Sequence, residues 1–218
     1  TLLNILGLLL PALIGLLTTP WSFKGLGEVE FGILMFVFLL LGGASLFDMG
    51  MSRAATKFVN EAIENGALKD VNLIIGSTIV IMIVISLVLT SIFYQSSPYL
   101  VTNVFNIEVE HRTKAIEAFY LCALSLPFIM LSNAYRGALE AASRFDLVNL
   151  SKVIFGSLTY IAPVVSIFKG VGIVEVIFIV LIVKIVQFAS FIFLAKLEFK
   201  SLTLLPRFRL HMVKRMFS

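Results

Sequence analysis

Charge is scarce in this chain, and that scarcity bounds everything else. Only 14% of its 218 residues are Asp, Glu, Lys or Arg, while 59% are hydrophobic. Soluble domains carry about 25% charged and about 45–50% apolar residues. Too few polar side chains remain to cover a water-soluble globule of this size, so lipid is the solvent for most of the surface. Long polar connections are missing too. The largest polar intervals, 48–71, 95–114 and 196–218, leave no room for a soluble domain, so any function is built from helices and short loops.

Cysteine and histidine are nearly absent. Cys122 is the sole cysteine, which excludes an intrachain disulfide or a thiolate metal cluster and leaves Cys122 as a small packing residue. His111 and His211 are far apart in sequence and fall on opposite membrane sides in the topology derived below, so they do not share a metal. Gly-x-Ser-x-Gly, His-Glu-x-x-His and phosphate-cradling Gly-Lys-Ser motifs are lacking as well. Transport is favoured over catalysis, and no cofactor is predicted.

What is present is six apolar runs: Leu2–Thr19, Phe31–Phe47, Asn72–Tyr94, Ala115–Asn133, Leu147–Phe168 and Ile173–Ala195. Each has about the 17–25 residues that a helix needs to cross about 30 Å of hydrocarbon. Backbone polar groups must be paired within such a segment, so the runs are helices and the fold class is all-α. Two regions follow: a six-helix membrane lobe over 1–195 and a basic, amphipathic cytoplasmic tail over 196–218.

Basic residues choose the orientation. With the N-terminus in the cytoplasm, twelve lysines and arginines fall inside and four (Lys24, Arg112, Lys114 and Lys169) outside, with Lys184 in the membrane completing the 17. The positive-inside rule then predicts that both termini are cytoplasmic. It also accounts for the pI of about 9.3 without nucleic acid.

Local signals refine the picture. Lys24–Gly32 reads as a tight outer turn, with Gly25 and Gly27 supplying permissive backbone. Nothing in Gly50–Asn65 is a strong helix breaker, and Arg53, Lys57, Glu61 and Glu64 keep helical spacing. Span two is therefore predicted to continue as one helix from Phe31 to Glu64. Gly7, Pro11 and Gly15 recur every four residues on one face of the first span. Together with Pro127 and Pro163 they are candidate bending points, and ordinary helix packing explains them equally well.

Lys184 is the sharpest anomaly. It lies mid-span, where a charge costs about 2.5–3.5 kcal/mol on insertion scales. Gln187 follows at i+3, so one helix face carries an amine and an amide. An anion or proton site and a structural pairing both fit. Asp48 and Arg53 stand at the inner end of span two, and Lys152, Gly156, Thr159 and Pro163 form a polar, flexible stripe on span five.

Three stretches resemble a known family when taken together. They are Leu26–Gly32, Ser45–Arg53, and the inner loop from Arg136 through Ala141 to Arg144–Asn149. Their order and spacing are similar to those of bacterial oligosaccharide flippases of the polysaccharide transporter family. That family sits within the superfamily of multidrug, oligosaccharidyl-lipid and polysaccharide exporters. The resemblance implies two six-helix lobes around a central cavity in the bacterial inner membrane, of which this chain matches the first. It further implies alternating access, a polyprenyl-pyrophosphate-linked oligosaccharide as cargo, membrane lipid around it, and H⁺ or Na⁺ as a possible coupling ion. On that analogy Arg53 and Lys184 are cavity cations, Asp48 orients Arg53, and Gln187 adds a polar contact. Two other readings stay open: a multidrug and toxin extruder, whose pocket should be acidic and aromatic, and a non-transporting membrane subunit of a polysaccharide synthesis complex.

Overall fold

The structure, a computed structural model, describes residues 2–44 and 50–199. Six α-helices follow in order: α1 (Leu2–Gly43), α2 (Met51–Glu64), α3 (Leu68–Tyr99), α4 (Val109–Ala141), α5 (Phe145–Ile167) and α6 (Ile173–Glu198). A π-helical turn, Leu100–Val104, extends α3. No strand occurs among the described residues, and the all-α expectation holds.

α1 is two membrane-length arms joined at one residue. Gly27 takes φ 76° and ψ 175°, a left-handed backbone that a residue with a Cβ adopts only under strain. The consequence is reversal. Tyr160 of α5 touches Phe38 and would also meet a Cβ placed on Gly15, although these residues would be about 35 Å apart along a straight helix. The outer turn expected over 24–32 thus contracts to Gly27. The first two predicted spans are the two arms of α1.

The single helix expected from Phe31 to Glu64 does not form. α1 ends at Gly43, and Gly50 caps α2 with φ 78°; a residue in that region cannot carry an α-helix through. The amphipathic character expected of the segment survives in α2. Met51, Ala55, Val59 and Ala62 are buried on it, while Arg53, Lys57 and Glu64 are exposed. The helix stops where expected, with Asn65 N–H donating to the Glu61 carbonyl (3.1 Å) and Gly66 N–H to that of Ile63 (3.0 Å).

The remaining helices outrun their apolar cores: α3 begins at Leu68 and α4 spans Val109–Ala141. α1 passes through Pro11, α4 through Pro127 and α5 through Pro163 while remaining single elements. In the tail, 196–198 belong to α6 and 200–218 lie outside the described residues.

Two buried clusters divide the core by depth. One, at the Gly50 end, joins α2, the first half of α3 and the last turns of α4 and α6 around Met82, Met130 and Leu139. The other, at the Gly27 end, joins the second arm of α1 to the first turns of α4 and α6 around Leu34, Phe119 and Ile177. Leu8, Leu16 and Phe193 are among many large apolar side chains left exposed, as hydrocarbon solvent requires. Arg144, between α4 and α5, pairs with Asp146 (3.2 Å) and with Glu198 at the end of α6. Its hydrogen bond to Asp146, more than that to Glu198, raises the pKa of the guanidinium above its ordinary value.

Candidate functional site: a basic cleft between α1, α4, α5 and α6

The cleft originates in close packing of the first arm of α1 along α5. Gly7 lies against Asn149, Pro11 against Gly156 and Gly15 against Tyr160, so that a Cβ added at Gly156 would stand 2.9 Å from Pro11 Cγ. Small residues let the backbones approach at these levels. The register also sets the two helices parallel, and the second arm of α1 returns beside them.

Two adjoining chambers open there. The larger, about 410 Å³, is lined by Gly7, Pro11, Phe38, Leu41, Gly42, Lys152, Gly156, Thr159, Tyr160, Lys184 and Gln187, with Leu8 and Ala12. The smaller, about 190 Å³, shares Leu41, Gly42, Lys152, Lys184 and Gln187 and adds Ile129, Ser132, Asn133, Arg136 and Phe191. Lys184 and Gln187 belong to both, as the i+3 spacing on α6 requires.

Electrostatics give the cleft its character. Lys184 donates to Thr159 Oγ1 at 2.9 Å, and Thr159 in turn donates to the Phe155 carbonyl at 2.7 Å. Neither partner is charged. Lys152 and Arg136 share Glu140, at 3.8 Å and 3.6 Å. Among the described residues three cations therefore face one carboxylate, and Glu140 is not among the lining residues. Asn133 Nδ2 has no hydrogen-bond acceptor among the described residues. A concave, cationic chamber with an unused donor is suited to an anionic ligand.

Other predicted residues fall elsewhere. Arg53 is exposed on α2 and is not among the residues lining either chamber; its neighbour Ser52 is instead packed where a Cβ on Gly137 of α4 would lie 2.8 Å from the Ser52 carbonyl oxygen. The cations that line the smaller chamber with Lys184 are Arg136 and Lys152. Asp48 lies outside the described residues. Gly7 and Pro11 line the larger chamber and Gly15 lies against Tyr160; Pro127 and Pro163 do not line it. Sequence reasoning passed over Arg136 because its role depends on α4 and α5 meeting. The α5 stripe of Lys152, Gly156 and Thr159 was the available signal.

Fold and cleft together define a polytopic helical membrane protein with a basic cavity. Comparison with known proteins makes this particular. The model of a family described as polysaccharide biosynthesis protein matches residues 1–218, and the chain belongs to that family. It is 26% identical over 165 residues to the "Putative O-antigen transporter" of Shigella flexneri, covering 76% of this chain and 39% of that protein. In fold it resembles a multidrug resistance MATE family transporter of the MOP superfamily in its outward-facing conformation. There the TM-score is 0.81 at 16% identity, with 99% of this chain and 49% of the other covered. A MOP superfamily transporter from Pyrococcus furiosus gives 0.81 at 14% identity, covering 99% and 48%. The chain thus spans about half the length of these structures.

Proposed function

We propose that this chain forms one lobe of an alternating-access transporter that moves a polyprenyl-pyrophosphate-linked oligosaccharide across the bacterial inner membrane. The observation that carries this reading is the lining of the cleft: among the described residues, three cations, Lys184, Lys152 and Arg136, and no carboxylate. Pyrophosphate or acidic sugars would meet the three cations and take the unused donor of Asn133, with Gln187 beside them, while the prenyl tail stays in lipid. Family membership and the Shigella flexneri relative support the choice of cargo class. A multidrug extruder for organic cations fits this cleft poorly, because its lining would repel them.

A second six-helix lobe completes the cavity, and H⁺ or Na⁺ supplies the driving force. Both termini of this segment face the cytoplasm, on the twelve-to-four distribution of basic residues. Pro11, packed on Gly156 at the wall of the cleft, and Pro127 and Pro163 are the positions at which helices bend between states. Arg53, on the exposed face of α2, meets lipid headgroups rather than the bound glycan.

The test is transport by the full-length protein in proteoliposomes, using a fluorescent polyprenyl-pyrophosphate-linked saccharide. Transport should require the pyrophosphate-linked cargo and fall in Lys184→Ala. Equal transport of cationic dyes, or indifference to Lys184, would remove the proposal.

A further inference from the structure

A second cavity lies at the Gly27 end, away from the basic cleft and of opposite chemistry. About 370 Å³ in volume, it sits between the second arm of α1, the 105–108 loop and α4. Phe36, Phe105 and Phe119 line it, and their rings form a triangle: centroids are 4.5 Å apart for Phe36 and Phe105, 5.2 Å for Phe36 and Phe119, and 6.0 Å for Phe105 and Phe119. Phe119 is buried, whereas Phe105 is 40% exposed at the mouth. Glu28, Asn106 and Glu108 complete the lining together with aliphatic residues.

Charge separates this cavity from the cleft. No lysine, arginine or histidine lines it, and among the described residues neither Glu28 nor Glu108 is in an ion pair. Two neighbouring cations are held by other groups, one of them a backbone carbonyl of the cavity wall. Lys114 is held by Glu30 at 3.1 Å, and Arg112 Nε donates to the Ile107 carbonyl at 2.8 Å. Phe36 and Glu28 also project from a different side of their arm than Phe38, Leu41 and Gly42, which line the cleft. The cavity is therefore not a continuation of the cargo chamber.

Phenyl faces attract cations through the ring quadrupole, most strongly where water is excluded, and grouped rings are the usual receptor for quaternary ammonium. Carboxylates at the rim add Coulomb attraction without requiring a hydrogen-bond donor on the ligand. An inorganic cation would gain little here, because the rings cannot replace its hydration shell and the carboxylates are exposed. We infer that this cavity is a binding site for an alkylammonium group of the choline type, peripheral to the cleft and independent of the cargo carried there. Such a group has two sources, a free organic cation or the headgroup of a zwitterionic lipid.

The full-length protein in maltoside micelles should bind choline, read by calorimetry, and should bind its uncharged carbon analogue 3,3-dimethylbutanol at least about ten-fold more weakly. Glu28→Gln with Glu108→Gln should weaken choline and leave dimethylbutanol unchanged, narrowing the distinction to what the rings supply. Phe105→Leu should weaken choline about three- to ten-fold while Phe105→Tyr retains it. These positions are exposed, and gel filtration confirms that the variants remain folded. Tighter binding of dihexanoylphosphatidylcholine than of choline identifies a lipid headgroup as occupant, and the reverse a free cation. Equal binding of choline and dimethylbutanol, or choline affinity unchanged in the double glutamine variant, overturns the site whatever the cargo assay shows.

Discussion

Two lysines show how the same side chain serves opposite ends of this molecule. Lys114, at the Gly27 end, meets Glu30 at 3.1 Å, and the other oxygen of Glu30 accepts the N–H of Ile173 at the start of α6. One carboxylate thereby ties α1, α4 and α6 together. Among the described residues Lys184, in the cleft, has only the Thr159 hydroxyl, with Lys152 and Arg136 lining the same smaller chamber. A fixed countercharge makes the first lysine a brace. On the function proposed above, the second, with no such countercharge among the described residues, is left to attract a mobile anion.

The sharpest way to break this contrast is to remove Lys184. Lys184→Ala in the full-length transporter should lower flipping of the anionic lipid-linked glycan by about ten-fold or more, about the value of one charge-assisted contact, at unchanged abundance. Lys184→Arg should keep more activity than Lys184→Met. If Arg and Met behave alike, Lys184 is a packing residue.

Removing the brace should affect stability instead. Glu30→Ala should lower the thermal midpoint in detergent and leave the cargo affinity of the remaining folded protein intact. Glu30→Gln should lower it less, because the amide oxygen still accepts from Ile173 N–H. A loss of cargo affinity without a loss of stability would erase the distinction between the two ends.

Backbone positions come next. Gly137→Ala puts a methyl 2.8 Å from the Ser52 carbonyl oxygen and should cost about 1–3 kcal/mol by forcing α2 off α4. Gly27→Ala meets no neighbouring atom, so only its φ of 76° opposes it, at about 1–2 kcal/mol. Urea or thermal unfolding of the two variants tests the order. The smallest effect is expected at Lys57, whose pairing with Glu61 is 4.0 Å long and largely exposed; Lys57→Ala should leave the midpoint unchanged within error.

Orientation sharpens the comparison from outside. With both termini cytoplasmic, a cysteine at Gly170 should be labelled from the periplasmic side and one at Gly66 from the cytoplasmic side, in a Cys122→Ala background. The reversed pattern would put the brace inside the cell.

Much of the architecture was legible without coordinates because hydrocarbon imposes a local rule: backbone groups must pair within the segment, so apolar run lengths announce helices. The runs at Asn72, Ala115, Leu147 and Ile173 each seed one helix, from α3 to α6. Lys184 announced itself by the same rule, since a mid-span amine is costly wherever its helix ends up. Gly50 shows the limit of local reading. A glycine is tolerated in a helix at about 1 kcal/mol, so its sequence neighbourhood did not exclude continuity, and the left-handed φ of 78° at the start of α2 was visible only in the structure.

The composition and order of residues determined by themselves that this is a helical membrane protein, with an amine embedded in its sixth apolar run. Tertiary structure alone decided the company that amine keeps. Parallel packing of α1 on α5, through Gly7, Pro11 and Gly15, brought Thr159 and Lys152 to the cleft, and the approach of α4 added Arg136 while α2 kept Arg53 outside. Helix formation follows from groups a few residues apart. A binding site sums charges that are distant in sequence and acquires its sign only when packing brings them within a few ångströms.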